Sequence, residues 1–125
     1  MSYVLGSRSL QTLEGVHSDL VEVVKLAITL TEQDFSVGEG IRSIERQREL
    51  LASGKTTTMN SRHLTGHAVD LFPYPVSWDW KYFHPIHAAM ESAAETLNVE
   101  LTWGGDWKSF PDGPHFQLAW KAYPK

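Results

Sequence analysis

Residues 61–72 read SRHLTGHAVDLF, and the second half of that stretch decides how the chain is organised. AVDLF is short, apolar and strand-like, and Pro73 and Pro75 stop it. The KTTTMNSR segment running into it is polar and unpatterned, which predicts a loop. Gly66 permits a tight turn between loop and strand. Asp70 is then a carboxylate inside an apolar strand. If it faces inward it requires a cation, hydrogen bonds or a metal, because an unpaired buried charge is costly.

Further strand-like runs occur at residues 34–41 (DFSVGEGI), near Val99–Trp103 and at His115–Trp120. The last two are separated by the turn-rich GGDWKSFPDGP. Leu10, Leu13, His17, Leu20, Val24, Ala27 and Ile28 recur at helical spacing. They predict one helix over residues 9–30, capped by Ser9, ended by Thr29 to Gln33 and weakened at Gly15. Residues 43–53 read as a second helix with Ile44, Leu50 and Leu51 as its apolar contacts and Gly54 as its stop. Residues 82–97 read as a third, carrying Phe83, Ile86, Ala89, Met90, Ala93 and Leu97 inward, with Pro85 in its first turn. Helices segregated from short strands, without regular βαβ alternation, predict an α+β fold: a short antiparallel sheet packed against helices.

The chain has 125 residues, enough for one compact core, so one domain over residues 1–125 is expected. It contains no cysteine, which excludes disulfides, thiolate nucleophiles and cysteine-held zinc. A net charge of -4 gives no support to nucleic-acid binding. The nearest basic group, Arg42, Arg46 and Arg48, alternates with Glu39, Glu45 and Glu49, as on a solvated helix face. The N-terminus has no basic flank followed by an apolar core, so no secretory signal is expected, and no apolar run is long enough to span a membrane.

His63, Asp70 and His115 form a candidate metal triad. Zinc takes imidazole nitrogen and carboxylate oxygen, and its catalytic sites use three protein ligands. Asp70 and His115 each belong to a strand-like run, so they share a site if those strands pair. On spacing alone the competing reading stays open, with His63 and His67 on a surface loop and Asp70 capping a turn. A set of two histidines and one carboxylate also suits iron.

The arrangement S-R-H-L-T-G-H-A-V-D over residues 61–70 matches the S-x-H-x-x-G-x-A-x-D pattern of VanY-type zinc peptidases. D-G-P-H at 112–115 resembles the second half of that signature. The chain from about residue 40 to 118 thus resembles the D-alanyl-D-alanine carboxypeptidase-like family. Asp112 and Pro114, where carboxypeptidase members usually carry glutamate and tryptophan, point to its phage endolysin branch, the L-alanyl-D-glutamate peptidases.

That resemblance implies a zinc metallopeptidase acting on the stem peptides of bacterial peptidoglycan, with its zinc site at the sheet. It makes His63, Asp70 and His115 the Zn²⁺ ligands and Asp112 the general base. Arg42 becomes the stabiliser of the developing oxyanion, with Arg46 and Arg48 as competitors. Ser61 becomes a substrate-binding hydroxyl. It further implies a monomer held in the host bacterial cytoplasm until its release to the periplasm or cell wall. A D-alanyl-D-alanine carboxypeptidase and a non-catalytic, zinc-stabilised peptidoglycan-binding protein are the alternatives.

Strand alternation turns His67 to the face opposite Asp70, away from the triad. His17, on the apolar stripe of the first helix, is expected to pack, as are His84 and His87 at the surface or in packing. Most of the aromatics are expected in the core, and a few, with Trp107 and Trp78 in loops rich in glycine or proline foremost, are candidates to line a groove for stem peptides or sugar rings; spacing does not single out which.

Overall fold

The computed structural model describes residues 3–56 and 59–124. Thr57 and Thr58, within the expected KTTTMNSR loop, lie outside the described residues. The elements follow in the order α1 (Ser7–Thr12), α2 (Ser18–Leu30), β1 (Phe35–Glu39), α3 (Ile44–Ala52), a 3-10 turn (Arg62–Thr65), β2 (Ala68–Pro73), α4 (Trp80–Leu97), β3 (Leu101–Trp103), a second 3-10 turn (Gly104–Asp106) and β4 (His115–Leu118). The strands make one four-stranded sheet in the order β1-β2-β4-β3, with every neighbouring pair antiparallel. This is the α+β arrangement, with α2 and α4 packed together and α4 resting on β2 and β3.

Strand alternation divides the sheet into two faces. Val69 and Leu71 of β2, Phe116 and Leu118 of β4, Phe35 and Val37 of β1, and Trp103 of β3 enter the hydrophobic core beneath the helices. Asp70, Phe72, His115, Gln117 and Thr102 are the intervening residues and line a groove on the other face. A one-residue slip of β2 would exchange these sets, burying a carboxylate and exposing Val69 and Leu71. At roughly 1.5–3 kcal/mol for each buried aliphatic side chain, hydrophobic burial alone holds the register.

The single helix expected over residues 9–30 is two. Gly15 takes φ +86°, a left-handed conformation that ends any helix, and His17 then caps α2 by accepting from the Asp19 amide. The break is a docking point as well: the His17 amide donates to the Gly66 carbonyl at 2.8 Å. A Cβ on Gly66, itself at φ +76°, would stand 2.6 Å from the Gly15 carbonyl oxygen. Leu10 is exposed and off the core stripe, and Ser9 caps nothing. Its hydroxyl accepts from the Val37 amide and ties α1 to β1.

Helix α3 also differs from expectation. Ile44 and Leu51 are exposed, and the residue it buries completely is Gln47. In α4, Leu97 is exposed, and Pro85 lies inside the helix, beyond the first turn, because the helix begins two residues earlier than expected, behind the Asp79 cap. No helix among the described residues is long and apolar enough to cross a membrane.

Candidate metal centre and groove

Three elements build the site. Asp70 in β2 is paired across the ladder with His115 in β4, and the 3-10 turn after Ser61 carries His63 over them. The Ser61 hydroxyl accepts from the His63 amide and starts that turn, and Gly66 ends it in a left-handed conformation. The triad's ligand atoms all lie within 4.8 Å of one another. His63 Nε2 stands 3.1 Å from Asp70 Oδ1, and His115 Nδ1 stands 3.4 Å from the same oxygen.

The hydrogen bonds behind the histidines decide what the cluster can hold. His63 Nδ1 lies 2.7 Å from the Gly40 carbonyl. A carbonyl only accepts, so Nδ1 carries the proton and the Nε2 lone pair points at Asp70. His115 Nε2 lies 2.8 Å from Gln117 Oε1, which turns its Nδ1 lone pair to the same place. Two imidazole nitrogens and a carboxylate oxygen converging on one point form a donor set for a cation. Ligands on a tetrahedral zinc with bonds of about 2.0–2.1 Å stand about 3.3 Å apart, close to the 3.1 and 3.4 Å that separate Asp70 Oδ1 from the two histidines. The donor set therefore suits zinc.

The three side chains also act strongly on one another's charge. Burial on its own would raise the Asp70 carboxyl, but His115 and His63, which when protonated donate hydrogen bonds and positive charge to it, hold it well below the usual carboxylate range. Burial depresses His115, yet its bonds to Asp70 and Gln117 outweigh this and raise it. Asp112 moves the other way for a carboxyl: burial raises it and the charge of Asp70 adds to the effect.

Asp112 is positioned by the turn before β4. Its amide donates to the Gly104 carbonyl at 2.9 Å, and the Trp103 indole donates to the Gly113 carbonyl at 2.7 Å. A Cβ on Gly104 would stand 2.6 Å from the Asp112 carbonyl oxygen and 2.9 Å from His115 Cβ. Glycine here lets the base candidate and the last triad residue share one turn.

Among the competing arginines the structure separates three environments. Arg42 is nearly buried, with Nη2 3.9 Å from Asp70 Oδ2. Glu39 pairs with Nη2, and Gln47 Oε1 accepts from Nη1 at 2.7 Å. Its Nε is buried without a hydrogen-bond partner among the described residues. Arg46 borders the groove but is exposed and paired with Glu49 at 3.1 Å, and Arg48 does not line it. A bulge in β1 between Val37 and Glu39 sets Glu39 opposite Asp70, on the groove face, where it can hold Arg42.

Sequence reasoning missed Glu39, Gln47 and Gln117 as supports. For Gln117 the signal was available, because it alternates with His115 on one strand face. Gln47 offered none, since a helix face is ordinarily recognised by apolar residues.

His67 stays outside the cluster. Its Nδ1 meets the Thr65 hydroxyl at 2.7 Å and its ring packs near His17. Burial depresses it, and the Arg62 and His17 charges depress it further. His87 stacks on Trp103 with ring centres 3.9 Å apart, a packing role, while His84 is exposed. The groove itself has a volume of about 760 Å³ and takes in Ser61, the triad, Asp112, Arg42, Trp78 and Trp107.

The family model for the phage L-alanyl-D-glutamate peptidase matches residues 1–118. The chain belongs to this family. It is 31% identical to the L-alanyl-D-glutamate peptidase of Escherichia phage T5 over 119 residues, or 90% of this chain and 87% of that protein. It is 35% identical to the L-alanyl-D-glutamate peptidase of Listeria phage A118 over 121 residues, 94% of this chain, but spans only 43% of that longer protein. The crystal structure of the Serratia marcescens L-Ala D-Glu endopeptidase ChiX superimposes with a TM-score of 0.92 at 47% identity, covering 98% of this chain and 95% of that one. Membership in the family and the buried donor triad together make this a zinc-peptidase fold with its metal centre at the sheet.

Proposed function

We propose that the protein is a zinc-dependent peptidoglycan endopeptidase that hydrolyses the L-alanyl–D-glutamate bond of stem peptides. The observation that carries this reading is the continuation of the groove past both sides of the triad. On β2, Phe72 lies two residues to one side of Asp70. Gln117, opposite Ala68, lies two residues to the other. Each is about 6–7 Å along an extended strand. A bond inside a chain needs room on both sides; a terminal dipeptide needs it on one. The L-alanyl-D-glutamate activity of the T5, A118 and Serratia relatives supports the choice of bond.

His63, Asp70 and His115 would hold the zinc, which supplies Lewis-acid polarisation of the scissile carbonyl and acidifies water. Asp112, its carboxyl raised by burial, takes the proton from the attacking water and delivers it to the departing D-glutamate nitrogen. Arg42, held by Glu39 and Gln47, presents a fixed cation to the carbonyl oxygen as charge develops on it. Ser61 accepts from the His63 amide and keeps its own hydroxyl hydrogen for substrate.

We further propose that the protein is a monomer held in the host cytoplasm until its release to the periplasm or cell wall. The test is digestion of purified sacculi followed by identification of the new termini. New N-terminal D-glutamate with intact glycan strands supports the endopeptidase. Release of free D-alanine alone assigns a D-alanyl-D-alanine carboxypeptidase, and no new amine assigns a binding protein.

A further inference from the structure

The groove ends in aromatic side chains on its Phe72 side. Trp78 is 67% exposed and is the most open aromatic lining the groove. It is nevertheless fixed in place. Its ring meets Phe72 edge-on with centroids 5.5 Å apart and Phe83 at 6.2 Å. Phe72 in turn sets the edge of its ring against Gly38, where a Cβ would stand 2.4 Å from two ring carbons. The loop carrying Trp78 runs into the α4 cap, with the Asp79 amide donating to the Ser77 hydroxyl. An indole supported from beneath and open above is a binding platform, since burying it would gain hydrophobic energy that the fold leaves unclaimed.

What reaches that platform follows from the connectivity of the substrate, and so rests on the endopeptidase reading above. In a peptidoglycan stem, L-alanine is joined through its nitrogen to the lactyl group of N-acetylmuramic acid. A peptidase cutting after that alanine has one amino acid, then a sugar, on the acyl side of the bond. One residue spans about 3.5 Å of extended chain and the lactyl ether adds a similar length, so the pyranose ring begins roughly 7 Å from the scissile carbonyl. Phe72 stands about 6–7 Å from Asp70 along β2, and Trp78 packs on Phe72.

We infer that Trp78, backed by Phe72, is a subsite for the N-acetylmuramic acid ring that bears the cleaved stem. The C–H face of the pyranose lies on the indole, which orients the substrate with its glycan towards the α4 end of the groove. The peptide remainder, beginning with D-glutamate, then runs towards Gln117. Contact this far from the reacting carbonyl contributes by fixing the alanine carbonyl at the metal centre, as remote binding energy does generally.

The experiment compares two soluble substrates: a stem peptide beginning with free L-alanine, and the same peptide carrying N-acetylmuramic acid on the alanine nitrogen. The readout is the ratio of their kcat/KM values in wild type, Trp78→Ala and Trp78→Phe, each first checked for zinc content and melting temperature. The wild type is expected to prefer the sugar-bearing stem. Trp78→Ala should cut that preference roughly tenfold, as expected for loss of one stacked ring face, and Trp78→Phe should retain most of it. Equal use of both substrates by the wild type overturns the proposal. So does an equal slowing of both by Trp78→Ala, which would mark a structural role for the indole. If the wild type cuts neither substrate while D-alanine is released from longer stems, the endopeptidase reading falls and the sugar subsite falls with it.

Discussion

Asp70 stands directly across the β2–β4 ladder from His115, its Oδ1 3.4 Å from that histidine's Nδ1 and 3.1 Å from His63 Nε2. One carboxylate oxygen is thus the meeting point of two strands and a turn. Removing any one of the three side chains leaves two donors, too few for a tight zinc site. His63→Ala, Asp70→Ala and His115→Ala are each expected to purify with far less than one equivalent of zinc, as read by elemental analysis. A chelator should lower the wild-type melting temperature and leave these variants almost unmoved, because metal bound only to the folded state stabilises it. Full zinc retention by all three would rule out the triad.

Asp112 is expected to matter for rate and not for metal. It lies in the groove beside the triad, and among the described residues no side-chain hydrogen bond ties it down. Asp112→Asn preserves shape and removes the proton acceptor. Zinc content and melting temperature should stay near wild type while kcat falls by about 10²–10⁴, the usual contribution of one assisted proton transfer. Stopped assays on stem peptide measure it, and near-normal turnover would assign the base elsewhere.

The parts of the site and fold were not equally legible in the sequence. Alternation sets Asp70 and Phe72 on one face of β2 and Val69 and Leu71 on the other, and brings in His115 once β4 pairs with β2. His63, in a turn, and Asp112 were marked only by the likeness to the zinc-peptidase pattern. The broken first helix was not legible. A periodic stripe running through Gly15 reads as one helix, and only the tertiary contact between His17 and Gly66 fixes the break. The α3 helix misled for a related reason. Its inward residue is Gln47, whose value lies in reaching Arg42, and hydrophobic spacing carries no trace of such a partner. Glu39 needed the β1 bulge, which shifts the parity of the strand and puts a residue on the groove face that simple alternation assigns to the core.

Gln117 gives a sharper test of how the metal centre is supported. It is 7% exposed and its Oε1 accepts from His115 Nε2, which fixes the tautomer that offers Nδ1 to the metal. Gln117→Ala keeps all three donors but frees the ring to turn and to protonate on the wrong nitrogen. The loss of such a partner typically costs about 10–100-fold in metal affinity. Competition with a chromophoric chelator should show that loss, with the folded structure intact by circular dichroism. Unchanged affinity would mean that strand packing alone orients His115.

The last prediction contrasts two residues that sequence places equally near the triad. His67 follows His63 by four positions, but it bonds Thr65 and packs near His17, on the side away from the cluster. His67→Ala should therefore keep its zinc and its rate to within about twofold, the range of an ordinary surface change. Arg42 is nearly buried, clamped by Glu39 and Gln47, and 3.9 Å from Asp70. Arg42→Lys keeps the charge but not the planar fork that meets Glu39 and Gln47 together, so the cation loses its fixed position. Zinc content should hold while kcat falls by about 10²–10³, the cost of one misplaced oxyanion donor, with a smaller change in KM. Arg46→Lys, on an exposed side chain paired with Glu49, should stay within about twofold. A deep loss in Arg46→Lys with an active Arg42→Lys would move the oxyanion role from the buried arginine to the exposed one, and emptied zinc in His67→Ala would put that ring at the metal centre.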